Sequence, residues 1–372
     1  MFGSVLKRLV SSLAFTLVAS LVAVQACTAA KSPDDRLTPD HCAHKRPPPP
    51  PKVRARGGTL ELIFAVSQTV LGTAPEGDAG WLTYQKIGFD LDNTCTSEGQ
   101  QPSCVAPASA ASHKDGVDGI DNAIGQVWWE LGSGVSTADP NFTEVLLRVR
   151  DYSGDPDDDQ VEASLYYAFG LSAREDGGVG PFWDGQDKWN VLPASLHPPA
   201  DGEAPNVDEP MVVDKHAYVS GGVLVAQFDQ AFTAYATAPP TLLWPIRQLL
   251  MAGTLKQNGD GTWEIQNAMI GSRVALTVVA QAIASFQPYK ALGPICRSPS
   301  FYRMEVLQAC SFADIAYSSD SPSAPCDALS MGLMVQAKQA KLGEVLAPPL
   351  ASSMCNQSEL PDANPCEWAG DE

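Results

Sequence analysis

TLELIFAV, residues 59–66, sets Leu60, Leu62, Phe64 and Val66 against Thr59, Glu61, Ile63 and Ala65. Side chains on a strand point alternately to its two faces, so this period of two predicts a β-strand with one face turned to a core. The same period recurs outward from it. Ile87, Phe89 and Leu91 alternate with Gly88, Asp90 and Asp92, and Val145, Leu147 and Val149 alternate with Glu144 and Arg148. Val161, Ala163, Leu165, Tyr167 and Phe169 follow the rule, as do Val219, Val223 and Val225 with glycines beside them. Near the C-terminus Leu329, Met331, Leu333, Val335 and Ala337 alternate with Ser330, Gly332, Gln336 and Lys338. Gln257-Asn258-Gly259-Asp260-Gly261 separates Leu249–Leu255 from Trp263–Met269, and Asn-Gly between two apolar runs marks a hairpin.

Two segments carry a helical period instead. Ile120, Ala123, Ile124, Val127, Trp128 and Leu131 form one stripe; Leu276, Val279, Ile283 and Phe286 fit another, with Ser272 as its expected N-cap, although the β-branched Thr277, Val278 and Val279 leave a strand open there. Half-buried strands of this kind suit packed antiparallel sheets. The expectation is therefore a mainly β chain, a large antiparallel β-sandwich over residues 58–350 with a few short helices. Its long strands and wide loops resemble concanavalin-like jelly rolls. The proline-rich stretch 193–210 is either a surface loop or an internal boundary, and residues 351–372 form a cysteine-containing C-terminal tail.

The N-terminus reads MFGSVLKRLVSSLAFTLVASLVAVQAC. Lys7 and Arg8 precede an uncharged run from Leu9 to Val24, shorter than the roughly 20 apolar residues of a membrane span. Residues 1–26 fit a signal peptide ending at the small residue Ala26. Val24-Gln25-Ala26-Cys27 resembles the lipobox of bacterial lipoproteins, although that family prefers Leu and a small residue where Val24 and Gln25 stand. The resemblance covers residues 1–27 only. It implies a lipid on Cys27, contact with a membrane, and a place in the bacterial cell envelope, on the outer membrane. Residues 28–57 hold no apolar period but a proline run, Pro47–Pro51, among Lys45, Arg46, Lys52, Arg54 and Arg56, which reads as a stiff tether.

Nine cysteines are an odd number. Assigning Cys27 to lipid leaves eight that can pair in an oxidising compartment. Cys95 and Cys104 are close in sequence and are the expected local bridge; Cys296, Cys310, Cys326, Cys355 and Cys366 are expected to pair mainly with one another, leaving one for Cys42.

The formal charge is −19, and removing the two basic residues of the signal makes it −21. Such a chain is repelled by phosphates, which argues against nucleic acid partners. No GxSxG, HExxH, Walker A or GxGxxG is present. Ala328-Leu329-Ser330-Met331-Gly332 is a relaxed elbow, but it sits inside an alternating strand.

Two features stand apart. In DGGVGPFWDGQDKWN, residues 176–190, Phe182, Trp183 and Trp189 stand among glycines and aspartates, a pattern for stacking on a glycan or a protein, or for a lid folded on the core. Asp90, Asp92 and Asn93, with Asp115, Asp118, Asp121 and Asn122, form two acidic clusters that a loop pinched at Cys95 and Cys104 would bring together. Calcium takes about six to eight oxygen ligands from such loops. The plain alternative is that Asp118 or Asp121 caps the following helix. A third cluster, Asp151 to Asp159, reads as a hairpin tip. The expected function is an envelope-anchored lipoprotein whose non-catalytic domain binds a glycan or a protein. The alternatives are an exported carbohydrate-active hydrolase and a structural envelope protein.

Overall fold

The computed structural model describes residues 42–52, 57–70, 82–97, 100, 102–107, 114–130, 145–174, 177–178, 180–200, 203–235, 242–285, 296, 299–318, 321–346 and 365–366. The expected signal peptide, Cys27 and the first part of the tether lie outside these residues.

Among the described residues ten strands form: β1 (Leu60–Val70), β2 (Val145–Tyr152), β3 (Asp158–Leu171), β4 (Lys188–Val191), β5 (Val212–Ser220), β6 (Val223–Tyr235), β7 (Leu242–Gln257), β8 (Trp263–Ala275), β9 (Ala328–Gln339) and β10 (Lys341–Val345). Three helices accompany them among the described residues: α1 (Ala123–Glu130), α2 (Leu276–Ser285) and α3 (Pro299–Ser311). The expected sandwich is wrong. β1, β2, β3, β5, β6, β7, β8 and β9 pair antiparallel in a ring, with β3 meeting β5 and β9 returning to β1, so the eight strands close into one barrel. A closed sheet and a two-sheet sandwich bury alternate residues in the same way. The period of two therefore does not separate them; the β3–β5 pairing does.

The inward residues make one apolar core. Leu62, Phe64, Val149, Leu165, Leu224, Phe228, Ile246, Met251 and Val335 belong to it, all under a tenth exposed. An eight-stranded barrel is just wide enough for side chains to fill its interior. The Asn258-Gly259 turn joins β7 to β8 as its residues require, with the Asn258 N–H donating to Thr262 O at 2.7 Å. Gly221 and Gly222 join β5 to β6 with φ of 58° and 80°, the left-handed pair that a two-residue hairpin loop needs.

Two layers cover the wall. β4 and β10 pair in parallel and attach to the far end of β3, burying Trp189, Tyr166, Val191 and Ala340. α2 and α3 pack through Ala280, Ala284, Tyr302 and Val306. α2 follows β8 without a break, so Ser272 is a buried strand residue and not an N-cap. Ile87, Phe89 and Leu91 are not a strand either. They follow a 3-10 turn at Thr83–Lys86 and cross the outer wall as irregular chain, with Ile87 and Phe89 buried.

Candidate functional site

That crossing is positioned by two glycines. Gly271 and Gly332 are cross-strand partners on β8 and β9. A Cβ on Gly332 would lie 2.2 Å from Ile87 O, and one on Gly271 would lie 3.1 Å from Leu91 and Phe89 side-chain atoms. Their bare backbone leaves a trough in the wall. Asn122 fastens the covering chain there. Its amide donates to Tyr84 O and Ile87 O, both at 3.0 Å, and its Oδ1 accepts from Gly332 N–H at 2.8 Å. The same Oδ1 accepts from Gly125 N–H at 3.0 Å, an N-cap bond for α1. Every polar atom of the Asn122 side chain is thus engaged, and it offers nothing to a metal.

Over the trough the carboxylates gather. Asp90, Asp92 and Asp121 are buried and present oxygens within 4.8 Å of one another. Each accepts a backbone N–H: Asp90 from Asn93 at 2.7 Å, Asp92 from Thr94 at 2.8 Å, Asp121 from Leu91 at 2.6 Å. Asp115 accepts from Thr96 N–H at 2.5 Å. Asp314, which precedes β9, accepts from Ser330 N–H at 2.9 Å and bonds the Ser330 hydroxyl. Arg273 of β8 donates to Leu91 O and Ala316 O, both at 2.8 Å, closing the underside of the centre.

Residues 42–52 of the expected tether are part of the fold. Cys42 bridges to Cys95, His44 Nδ1 lies 2.6 Å from Asp90 Oδ2, and Arg46 donates to Asp90 O at 2.7 Å and to Asn93 Oδ1. Backbone bonds from Lys45 N–H to Asp118 O and from Asp90 N–H to Lys45 O complete the strap. The expected Cys95–Cys104 bridge is therefore wrong. Cys104 pairs with Cys326, 222 residues away, and Cys310 pairs with Cys366. Loop-closure entropy grows only slowly with length, so nearness in sequence is a weak guide to partners once the fold has set Cα distances near 5–6 Å.

Burial raises the carboxyl pKa of Asp92, raises those of Asp115 and Asp121 well above the usual range, and lifts that of Asp314 to about 7; neighbouring aspartates push the same way. Charged oxygens packed this closely need a neutralising partner: shared protons, His44, or a hard cation. Two ligands of one calcium ion lie up to about 5 Å apart, so the Asp90–Asp92–Asp121 spacing fits such an ion. Asp115 is buried close by and repels them without being one of the three grouped carboxylates; the other expected residues do not join them. Asn93 is held by Arg46, Asn122 is spent, and Asp118 stands outside the group with φ of 57°.

No protein family, curated protein or solved structure matches this chain.

The aromatic loop folds inward. Trp189 is fully buried in β4, and Trp183 packs on it with ring centres 6.0 Å apart. Asp187 accepts from the Phe182 and Trp183 N–H groups at 2.9 and 2.6 Å. Phe182 is half exposed, under the Arg174 guanidinium at 4.8 Å. Trp189 is thus not a ligand contact, because a ring can stack on a glycan only where solvent reaches it. Ser330 is buried in β9 beside Asp314.

Sequence reading missed an open seam. β5 and β6 pair only at Tyr218–Val225, Val219–Leu224 and Ser220–Val223. β5 keeps to β3 from Val219 to Val212, with an irregular register around Lys215 and His216, while β6 stays with β7 as far as Tyr235. A groove of about 860 Å³ opens between them. Val212 and Phe228, both members of the barrel core, line it, with Met211, Asp214, Gln227 and Asp229 at its margins. The strap borders it too: Pro47 lines the groove, and the Tyr218 hydroxyl donates to Pro48 O at 2.6 Å. The only trace in the sequence was the Val219–Val225 alternation with its glycines, which marks the hairpin but not where it splits.

Proposed function

We propose that this chain is an exported, membrane-tethered β-barrel that works as a non-catalytic binding module for a protein partner. The observation that carries this reading is the seam, a groove in the barrel wall bounded by two strand margins. Backbone groups along such margins favour a polypeptide over a small molecule. Because the strap borders the seam, the proposed lipid anchor at Cys27 lies upstream on the chain segment that reaches it. A glycan is the less favoured ligand, since Trp189 and Trp183 are taken up by packing. A hydrolase requires two carboxylates facing across an accessible cleft. The carboxylates that gather over the trough are buried beneath the strap, and of the two that line the seam Asp214 is taken up by the His216 and Gln227 N–H groups. We assign the centre a structural role: it pins the strap and the chain around residues 84–96 and 114–122 to the wall, with calcium as the proposed ion among Asp90, Asp92 and Asp121.

Two measurements test this. A photo-crosslinking residue at Met211, beside the seam, should give a protein adduct in cells, and one at exposed Lys256 should not. Equal yields at the two positions, or none, refute the binding role. The wild type should fractionate with membranes and carry acyl chains, and Cys27→Ala should be released. A wild type that is soluble and unacylated refutes the tether.

A further inference from the structure

The strap carries a second group of donors beside the buried carboxylates. Cys42, His44 and Cys95 present two sulfurs and a ring nitrogen, all within 4.8 Å of one another. His44 Nδ1 stands 3.7 Å from Cys95 Sγ, close to the roughly 3.6 Å between a nitrogen and a sulfur on one tetrahedral zinc ion. Asp90 Oδ2, 2.6 Å from Nδ1, is an oxygen at hand for the fourth corner. Gly119 keeps the space before these donors open: a Cβ there would lie 2.8 Å from Cys95 Sγ, 3.2 Å from Asp90 Oδ2 and 3.3 Å from Cys42 Sγ. The two sulfurs are joined as a bridge, and the bridge is accessible. Cys42 and Cys95 are partly exposed and His44 is exposed, whereas Cys104, Cys310 and Cys326 are 2% exposed or less. Accessible bridges are the ones that exchange with thiols.

We infer that Cys42, His44 and Cys95 form a two-state clasp: a disulfide when oxidised, and a binding site for one thiophilic divalent cation of the zinc class when a dithiol reduces it. In the reduction the dithiol gives two electrons and two protons to the Cys42–Cys95 bond and leaves as its own disulfide. The ion then displaces the protons of the two thiols. The donors select the ion, because two thiolates and an imidazole suit zinc, whereas calcium takes oxygen ligands. The strap does not depend on the bridge, so the donors stay together once it opens. Lys45 N–H donates to Asp118 O at 2.7 Å, Asp90 N–H to Lys45 O at 3.0 Å, Arg46 to Asp90 O at 2.7 Å and the Tyr218 hydroxyl to Pro48 O at 2.6 Å. The Cα atoms of Cys42 and Cys95 stand 6.4 Å apart, so side-chain rotation alone can part the sulfurs to the roughly 3.8 Å of two thiolates on one ion. The clasp holds the strap to the barrel in both redox states, whether or not the seam takes a partner.

The test uses the full chain and cobalt(II), whose absorption reports its ligands, with calcium in excess so that oxygen sites are not counted. A phosphine opens the bridge, taking an oxygen from water and leaving two thiols, and unlike a dithiol it does not compete for the ion. The reduced wild type should bind cobalt with thiolate charge-transfer bands and the visible bands of a tetrahedral ion, and zinc should bleach both. The oxidised wild type should show neither. Cys42→Ala combined with Cys95→Ala lacks the same bridge as the reduced wild type, which makes it the matched control, and it should show no thiolate band. His44→Ala keeps the bridge while it folds. Once reduced it should bind cobalt at least roughly tenfold more weakly, since even the outer partners of a metal ligand are worth about 10–100-fold. Alkylation and mass mapping of the reduced wild type should find Cys42 and Cys95 free while Cys104–Cys326 is still closed. The absence of a thiolate band overturns the inference, as do equal bands in the double variant, unchanged affinity in His44→Ala, or a Cys42–Cys95 bridge that the phosphine does not open first.

Discussion

Replacing Asp314 with Asn should make the barrel less sensitive to a rise in pH from acid to neutral. Asp314 is buried, and burial lifts its carboxyl pKa from 3.8 to about 7. Its folded pKa thus lies above its unfolded value. Below pH 3.8 both states hold the proton and the residue costs nothing. Between 3.8 and about 7 the unfolded chain releases the proton while the folded chain keeps it, so stability falls as pH rises, and the loss levels off above 7. A shift of about three units at roughly 1.4 kcal/mol each sets the loss at about 4 kcal/mol. Neighbouring aspartates share the repulsion, so this figure is an upper bound. Asparagine keeps the shape: its Oδ1 can accept the Ser330 N–H, and its amide can donate to the Ser330 hydroxyl, which already accepts the Ala123 N–H at 2.8 Å. Urea unfolding of both proteins at pH 5, 7 and 9, in chelator, measures the effect. The variant should gain on the wild type by up to about 3 kcal/mol between pH 5 and pH 9, the part of the loss that falls between pH 5 and about 7. A residual slope should remain, because Asp92, Asp115 and Asp121 are raised in the same direction. A stability difference independent of pH, or a wild type that gains stability toward pH 9, would refute the account.

Calcium at millimolar concentration should raise the melting temperature at pH 8 relative to chelator, and Asp121→Asn should abolish the rise; identical melts would leave protons and His44 as the neutralising charges. Mass mapping of the non-reduced protein should recover Cys42–Cys95, Cys104–Cys326 and Cys310–Cys366 peptides, and a Cys95–Cys104 peptide would contradict the fold. Opening Cys42–Cys95 by changing both to Ala should cost about 4 kcal/mol, the loop entropy of its 53-residue separation, as measured by urea midpoint. Trp189→Ala should cost about 3–5 kcal/mol by leaving a cavity beneath β4, whereas Phe182→Ala should cost no more than about 1 kcal/mol; equal costs would contradict the inward packing of this loop.

The local texture of the chain was legible without coordinates. Alternation in Leu60–Val66, Val145–Val149, Val161–Phe169 and Leu329–Ala337 marked strands, Asn258-Gly259 marked the β7–β8 hairpin, and the stripes after Ile120 and Leu276 marked helices. These are short-range effects, since pleat, turn and helix geometry repeat within a few residues. The acidic residues that meet were also legible as a group, because Asp90, Asp92 and Asp121 were expected to converge and do so. What brings them together was not. The expected pinch at Cys95 and Cys104 is absent, and the work is done by a Gly271–Gly332 trough, an Asn122 clamp and the His44–Arg46 strap.

Tertiary structure alone decided the rest. A strand with one buried face has the same sequence whether its sheet closes on itself or packs on a second sheet, so the barrel depends on β3 meeting β5 across forty residues of intervening chain. Ile87–Leu91 alternates like a strand because it too lies with one face on a wall, yet it lacks a strand neighbour. Asp314 carried no signal, being one aspartate among many until Ser330 was placed beside it. The seam exists because β5 and β6 part after three residue pairs, an event settled by what each strand finds on its other side. Periodicity in the chain reports which face of a residue is buried; the partner that buries it is chosen by contacts between segments far apart in sequence.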